Sequence, residues 1–90
     1  MGRTRKERPA GLAGELGERI EAARKARTWA AADLAERAGL GLGTVLRIEA
    51  ASADAGISTV AAIARGLGLS PAELLAECPS WVKRPKKAPK

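Results

Sequence analysis

Histidine is absent from these 90 residues, and Cys78 is the lone cysteine. The chain therefore lacks the commonest general base, the commonest transition-metal ligands and any internal disulfide. It contains no Gly-rich phosphate cradle and no activated nucleophile, and Glu15, Glu18 and Glu21 read as the solvated face of a helix. Neither catalysis nor a bound metal or cofactor is expected. What remains is the chemistry of charge and surface contact. Arg3, Arg5, Lys6 and Arg8 against Glu7 give residues 1–9 a charge of +3; Lys83, Arg84, Lys86, Lys87 and Lys90 give residues 80–90 a charge of +5. Between them, seven basic and nine acidic side chains leave the body slightly negative, so the net +6 resides at the two ends. Such arms neutralise phosphates with salt-dependent affinity and no sequence information, and an arm can enter a minor groove. The Pro-interrupted stretch Lys83–Lys90 would also suit RNA or an acidic protein, and basic ends can be simply solubilising.

A second cluster lies mid-chain. Leu42 and Leu46 stand one helical turn apart, with Thr44 between them and Arg47 beside them, just after Gly39 and Gly41. Placing this cluster requires the elements that carry it. The apolar content is Ala, Leu, Ile and Val, Trp29 and Trp81 are the only aromatics, and runs of β-branched residues are missing. An all-α fold follows, with room for one domain.

Five helices are expected. The first, Leu12 to Arg27, turns Leu16, Ile20 and Ala23 inward. The second, Ala31 to Ala38, buries Leu34, Ala35 and Ala38 and stops at Gly39. The third, Leu42 to Ala50, faces Val45 and Ile48 inward and has Gly41 at its N-cap. After a turn at Ala51–Gly56, the fourth (Ser58 to Leu67) buries Val60, Ile63, Ala64 and Leu67 and ends at Gly68. The fifth opens with Ser70 as N-cap, Pro71 in the first helical position and Glu73 closing a capping box, with Leu69 and Leu74 as a hydrophobic staple. Leu74, Leu75, Cys78 and Trp81 continue its apolar side. None of these helices is long enough to be stable alone, so they must pack as a group. The domain is expected to span residues 11–78, with 1–10 a flexible basic arm and 79–90 a Pro- and Lys-rich tail. The charged N-terminus reads as no signal peptide, and no run approaches the roughly 20 apolar residues of a membrane span. A cytoplasmic, nucleoid-associated protein without membrane contact is expected.

Two short helices around a Gly-bearing turn make a helix-turn-helix layout over Ala31–Ala50, whose second helix protrudes far enough to enter a major groove. The stretch Leu16–Glu77 resembles the Cro/C1 (XRE) family of helix-turn-helix domains, which includes the lambdoid phage repressors. The resemblance is carried by Leu16-Gly17-Glu18-Arg19-Ile20, Arg24-Lys25-Ala26-Arg27 and Asp33-Leu34-Ala35-Glu36-Arg37-Ala38-Gly39-Leu40. It continues through Gly43-Thr44-Val45, Arg47-Ile48-Glu49 and Ala62-Ile63-Ala64-Arg65-Gly66-Leu67-Gly68-Leu69-Ser70. It implies a compact lambda-repressor-like five-helix fold and a transcriptional regulator that binds double-stranded DNA as a homodimer. It also implies an architectural ion pair between Arg24 and Glu49, and dimer contacts at Leu75, Cys78 and Trp81.

The chain departs from the family in its DNA chemistry. Ala30 and Ala31 stand where members place Ser and Gln to hold a phosphate at the start of the second helix. Gly41, Leu42, Gly43 and Leu46 replace the polar residues that read base edges, and only Arg47 keeps a hydrogen-bonding group with groove reach. Thr44 suits a phosphate or a thymine methyl; the following loop offers Ser52, while Asp54 repels phosphate. The DNA-binding candidates are thus Ala31, Gly41, Leu42, Gly43, Thr44, Leu46, Arg47 and Ser52, with Arg3, Arg5, Lys6, Lys83, Arg84, Lys86 and Lys87 on the arms. Two readings follow. Leu42 and Leu46 touch thymine methyls in a groove, or they form the patch by which an adaptor on this scaffold binds a protein partner. Three further residues carry expectations. Thr28 replaces a family Gly and predicts a turn of different shape. Trp29 is expected in the core and Cys78 as a structural thiol. Gly66 inside the fourth helix costs roughly 1 kcal/mol relative to Ala, with no visible gain.

Overall fold

The computed structural model describes residues 11–82, and every regular element within them is a helix. These are α1 (Leu12–Ala26), α2 (Ala31–Ala38), α3 (Leu42–Glu49), α4 (Ile57–Leu67), α5 (Pro71–Leu75) and α6 (Pro79–Val82). The first four match the expected spans to within a residue at each end. The fifth is shorter than its apolar side suggested, and a sixth follows it. Pro79 explains the break: it has no N–H to continue α5 and suits the first position of a new helix. Glu15 of α1 then fastens that new turn, its carboxylate accepting from the Ser80 N–H and from the Ser80 hydroxyl, both at 2.7 Å. Helical order therefore runs to Val82, into the stretch expected to be tail.

The inward stripes bury as their periodicity dictates. Ile20, Leu34, Val45, Ile63, Leu74 and Cys78 are the largest fully buried side chains, joined by Leu16, Ile48, Val60 and Leu67. α2 packs chiefly on α4, and α3 is held between α2 and α1. Two glycines set how close these helices come. A Cβ on Gly17 would collide with the Glu49 carbonyl oxygen and stand 2.8 Å from that of Ile48, so α1 and α3 meet backbone to backbone. A Cβ on Gly66 would stand 3.1–3.2 Å from the α2 backbone at Arg37 and Ala38. The propensity cost of Gly66 thus has a return: it lets α4 lie directly on α2.

α1, α2, α3 and α4 all end in the same way. In each, a residue with positive φ follows the helix and two backbone bonds close the last turn, the Schellman arrangement. At α2 these bonds are Gly39 N–H to Glu36 and Leu40 N–H to Ala35; at α4 they are Gly68 N–H to Arg65 and Leu69 N–H to Ala64. α1 closes through Thr28 to Lys25 and Trp29 to Arg24, and α3 through Ala51 to Ile48 and Ser52 to Arg47. Thr28 and Ala51 both adopt φ +59°. The turn after α1 therefore keeps the shape a glycine would give, and Thr28 carries the strain instead of reshaping it. α5 opens with the expected box: Glu73 N–H donates to Ser70 Oγ at 3.1 Å, and Ser70 N–H to the Glu73 carboxylate at 2.8 Å. No helix among the described residues is long and apolar enough to cross a membrane.

Candidate nucleic-acid interface

The site begins with what fixes α3. Three residues, Gly39–Gly41, separate it from α2, and the left-handed Gly39 (φ +71°) turns the chain out of α2. Val45 and Ile48 plug its inner side into the core. Its far end is clamped by Arg24 of α1. The Arg24 guanidinium donates to both Glu49 carboxylate oxygens, at 2.7 and 2.9 Å, and to the Trp29 carbonyl at 2.9 Å. This planar fork joins α1, the α1–α2 turn and the last turn of α3 in one network. Both side chains are nearly buried, at 12% and 7% exposed, and the hydrogen bond to Glu49 raises the Arg24 pKa further above its ordinary value. The implied pair is therefore present, and it fixes the angle at which α3 leaves the body.

With its inner side committed, α3 turns Gly41, Leu42, Gly43, Leu46 and Arg47 outward, and Thr44 sits half-buried at the margin. Leu42 and Leu46 are 45% and 48% exposed, an apolar ridge at i, i+4. Arg47 lies beside Gly43, one terminal nitrogen being 3.3 Å from where a Gly43 Cβ would be. Ser52 is used by the fold: its hydroxyl and its N–H both donate to the Arg47 carbonyl and cap α3. At the start of α2, Ala30 offers no side-chain cap. Asp33 supplies one half of a box, its carboxylate accepting from the Ala30 N–H at 2.8 Å, with Ala31 half-buried beside it. That carboxylate sits in the first turn of α2, where negative charge suits the helix dipole, and it takes up an N–H that Ala30 leaves without a side-chain partner of its own.

The remaining candidates divide. Trp29 is half-buried against the core with the Arg37 guanidinium 4.1 Å from its ring centre, a cation–π contact that packs it. Leu75 is half-buried and Trp81 is 55% exposed, so both have surface to offer a second copy. Cys78 does not: it is fully buried within its own fold, and that burial, with the Glu15 carboxylate adding to it, pushes its thiol above the ordinary value. As a dimer contact it is corrected to a core residue. Val82, 54% exposed beside Trp81, is the surface residue that the sequence reading left in the tail. Among the described residues, basic side chains do not outnumber acidic ones. The basic candidates Arg3, Arg5, Lys6, Lys83, Arg84, Lys86 and Lys87 lie outside the described residues.

Solved structures share this fold. The restriction-modification controller protein C.AhdI from Aeromonas hydrophila superposes with a TM-score of 0.67 at 24% identity, covering 69% of this chain and 94% of that one. The controller protein C.Esp1396I gives 0.69 at 22% identity, over 86% of this chain and all (100%) of that one. A hypothetical transcription factor, NHTF from Neisseria, gives 0.70 at 24% identity, over 81% and 86%. No curated protein matches the sequence. The helix-turn-helix family model matches residues 20–74, over half the chain and spanning every element from the Arg24–Glu49 clamp to the α5 capping box. The chain belongs to the Cro/C1-type (XRE) helix-turn-helix family of DNA-binding transcriptional regulators.

Proposed function

We propose that this protein regulates transcription as a homodimer that lays the outward face of α3 in the major groove of double-stranded DNA. The observation that carries this reading is the division of α3: its inner side is locked by Val45, Ile48 and the Arg24–Glu49 fork, while Leu42, Leu46 and Arg47 share one exposed surface. Arg47 is the group that can donate to a base edge, Thr44 suits a phosphate or a thymine methyl, and the two leucines suit thymine methyls. Gly41, Gly43 and Ala31 keep the surface low, so the backbone can come close to the DNA. Ser52 contributes as the cap of α3. Arg3, Arg5, Lys6, Lys83, Arg84, Lys86 and Lys87 supply phosphate attraction, which compensates for a body without net positive charge. Leu75 and Trp81, joined by Val82, form the contact between copies. Two recognition helices related by a two-fold axis would read half-sites about one helical turn apart.

Selection of bound duplexes from a random pool tests this reading directly. The expected result is an enriched inverted repeat, bound with a steep salt slope, whose advantage over random duplex is lost in Arg47→Ala. Removal of residues 1–10 and 83–90 should flatten the slope yet keep the preferred sequence. Binding without any enriched sequence, abolished by removing the two ends alone, would leave α3 without a reading role. It would then favour Leu42 and Leu46 as a patch for a protein partner.

A further inference from the structure

Helical side chains lean toward the N-terminus of their helix, and Arg47 follows that rule along α3. Its guanidinium fills the space beside Gly43 one turn back: a Gly43 Cβ would stand 3.3 Å from a terminal nitrogen and 3.9 Å from Cζ, and would meet nothing else within 4 Å. One turn is about 5.4 Å, so the charge is carried from position 47 toward the end of a recognition helix that reaches base edges. Exposed Leu42 and Leu46 form the adjacent row on one side of it, and no carboxylate pairs with it among the described residues. We infer that Gly43 is a positioning residue: its missing side chain is the seat that holds Arg47 for a bidentate contact to a guanine O6/N7 edge, with Leu42 and Leu46 against thymine methyls on neighbouring steps. A planar guanidinium needs two donors aimed in parallel, and lying along a flat strip of backbone limits its orientations before DNA arrives. Any larger residue at position 43 would lift it outward. This inference rests on α3 being the DNA-reading helix, and it names what that helix reads.

The test is a double-mutant cycle on duplexes that the full-length wild-type chain selects from a random pool. Each duplex is also made with 7-deazaguanine at single guanines, which removes the N7 acceptor and leaves base pairing intact. In the wild type, one guanine per half-site should show an affinity loss of about tenfold on this replacement. Arg47→Ala should abolish that loss, and Gly43→Leu should abolish it too. Gly43→Ala should reduce it only in part, since its Cβ displaces the end of a flexible side chain by a few tenths of an ångström. The double variant should bind no worse than the weaker single one. Leu and Ala form helix better than Gly, so Tm should hold or rise in both Gly43 variants. Retention of the full deazaguanine loss in Gly43→Leu, or losses that multiply in the double variant, would overturn the inference while leaving Arg47 as a reader of DNA. Wild-type affinity in Arg47→Ala would overturn both.

Discussion

The two faces of α3 obey different rules. On the inner face every group has a partner: Val45 and Ile48 are in the core, the Glu49 carboxylate is gripped by Arg24, and the backbone at Ile48 and Glu49 rests on Gly17. On the outer face Leu42, Gly43, Leu46 and Arg47 are exposed, and none of their side chains braces the core. Eight residues thus satisfy two separate demands, because a helix sends alternate sides of each turn in opposite directions. The inner face fixes the angle of α3, so it keeps the family pattern; the outer face lies outside the core, so it can change at little cost to the fold.

The sharpest way to break this contrast is to remove Glu49. Glu49→Ala leaves a nearly buried guanidinium with its main acceptor gone, and breaking such a pair costs about 3–5 kcal/mol. That is a large share of the stability of a small domain. Urea unfolding should show a pronounced fall in the midpoint, and a shift equivalent to less than about 1 kcal/mol would mean the clamp is ornamental. Next in size is the backbone contact beneath it. Gly17→Ala drives a methyl into the Glu49 and Ile48 carbonyls, and overpacking of that kind costs about 1–3 kcal/mol, outweighing the gain in helix propensity. Gly66→Ala meets the α2 backbone at a milder 3.1–3.2 Å and should cost less. If both substitutions instead raise Tm, the helices can move apart freely and the inner face is less constrained than its packing indicates.

Much of this architecture was legible because the relevant signals are local. Ser70, Pro71 and Glu73 announce the start of α5 by hydrogen bonds that need only their own backbone, and Gly39 and Gly68 mark helix ends because they enter the left-handed region without strain. Thr28 and Ala51 make the same turn and were not legible, since the tertiary frame imposes a conformation their own preference opposes. α6 was hidden for a related reason: what holds it is Glu15, 65 residues away in sequence from Ser80, and no local pattern announces that contact. The return on Gly66 is likewise non-local, since it lies in the α2 backbone packed against it. At the interface, exposure of Leu42 and Leu46 followed from helical spacing. The lie of Arg47 over Gly43 is a rotamer matter that residue types alone do not set. Cys78 carried two expectations, a structural thiol and a dimer contact, because an apolar position on a short helix can face either its own core or a second copy; its burial agrees with the first.

The smallest effect on stability belongs to the outer face, and it is the one that separates the two readings of the leucines. Leu42→Ser and Leu46→Ser remove side chains already nearly half exposed, so each should cost less than about 1 kcal/mol in unfolding. Their effect on binding should be specific. If the leucines cover thymine methyls, replacing thymine by deoxyuridine in a selected duplex removes roughly 0.8 kcal/mol per buried methyl, about a fourfold loss of affinity. The same replacement should change nothing in the serine variants, because the group that sensed the methyl is gone. A fourfold loss that persists in Leu42→Ser/Leu46→Ser would place the methyl contact elsewhere on the protein. Indifference to deoxyuridine in the wild type, with a serine variant that binds DNA normally, would take the ridge out of the groove altogether. The outer face would then be a surface for another protein, carried at the same fixed angle by the same inner clamp.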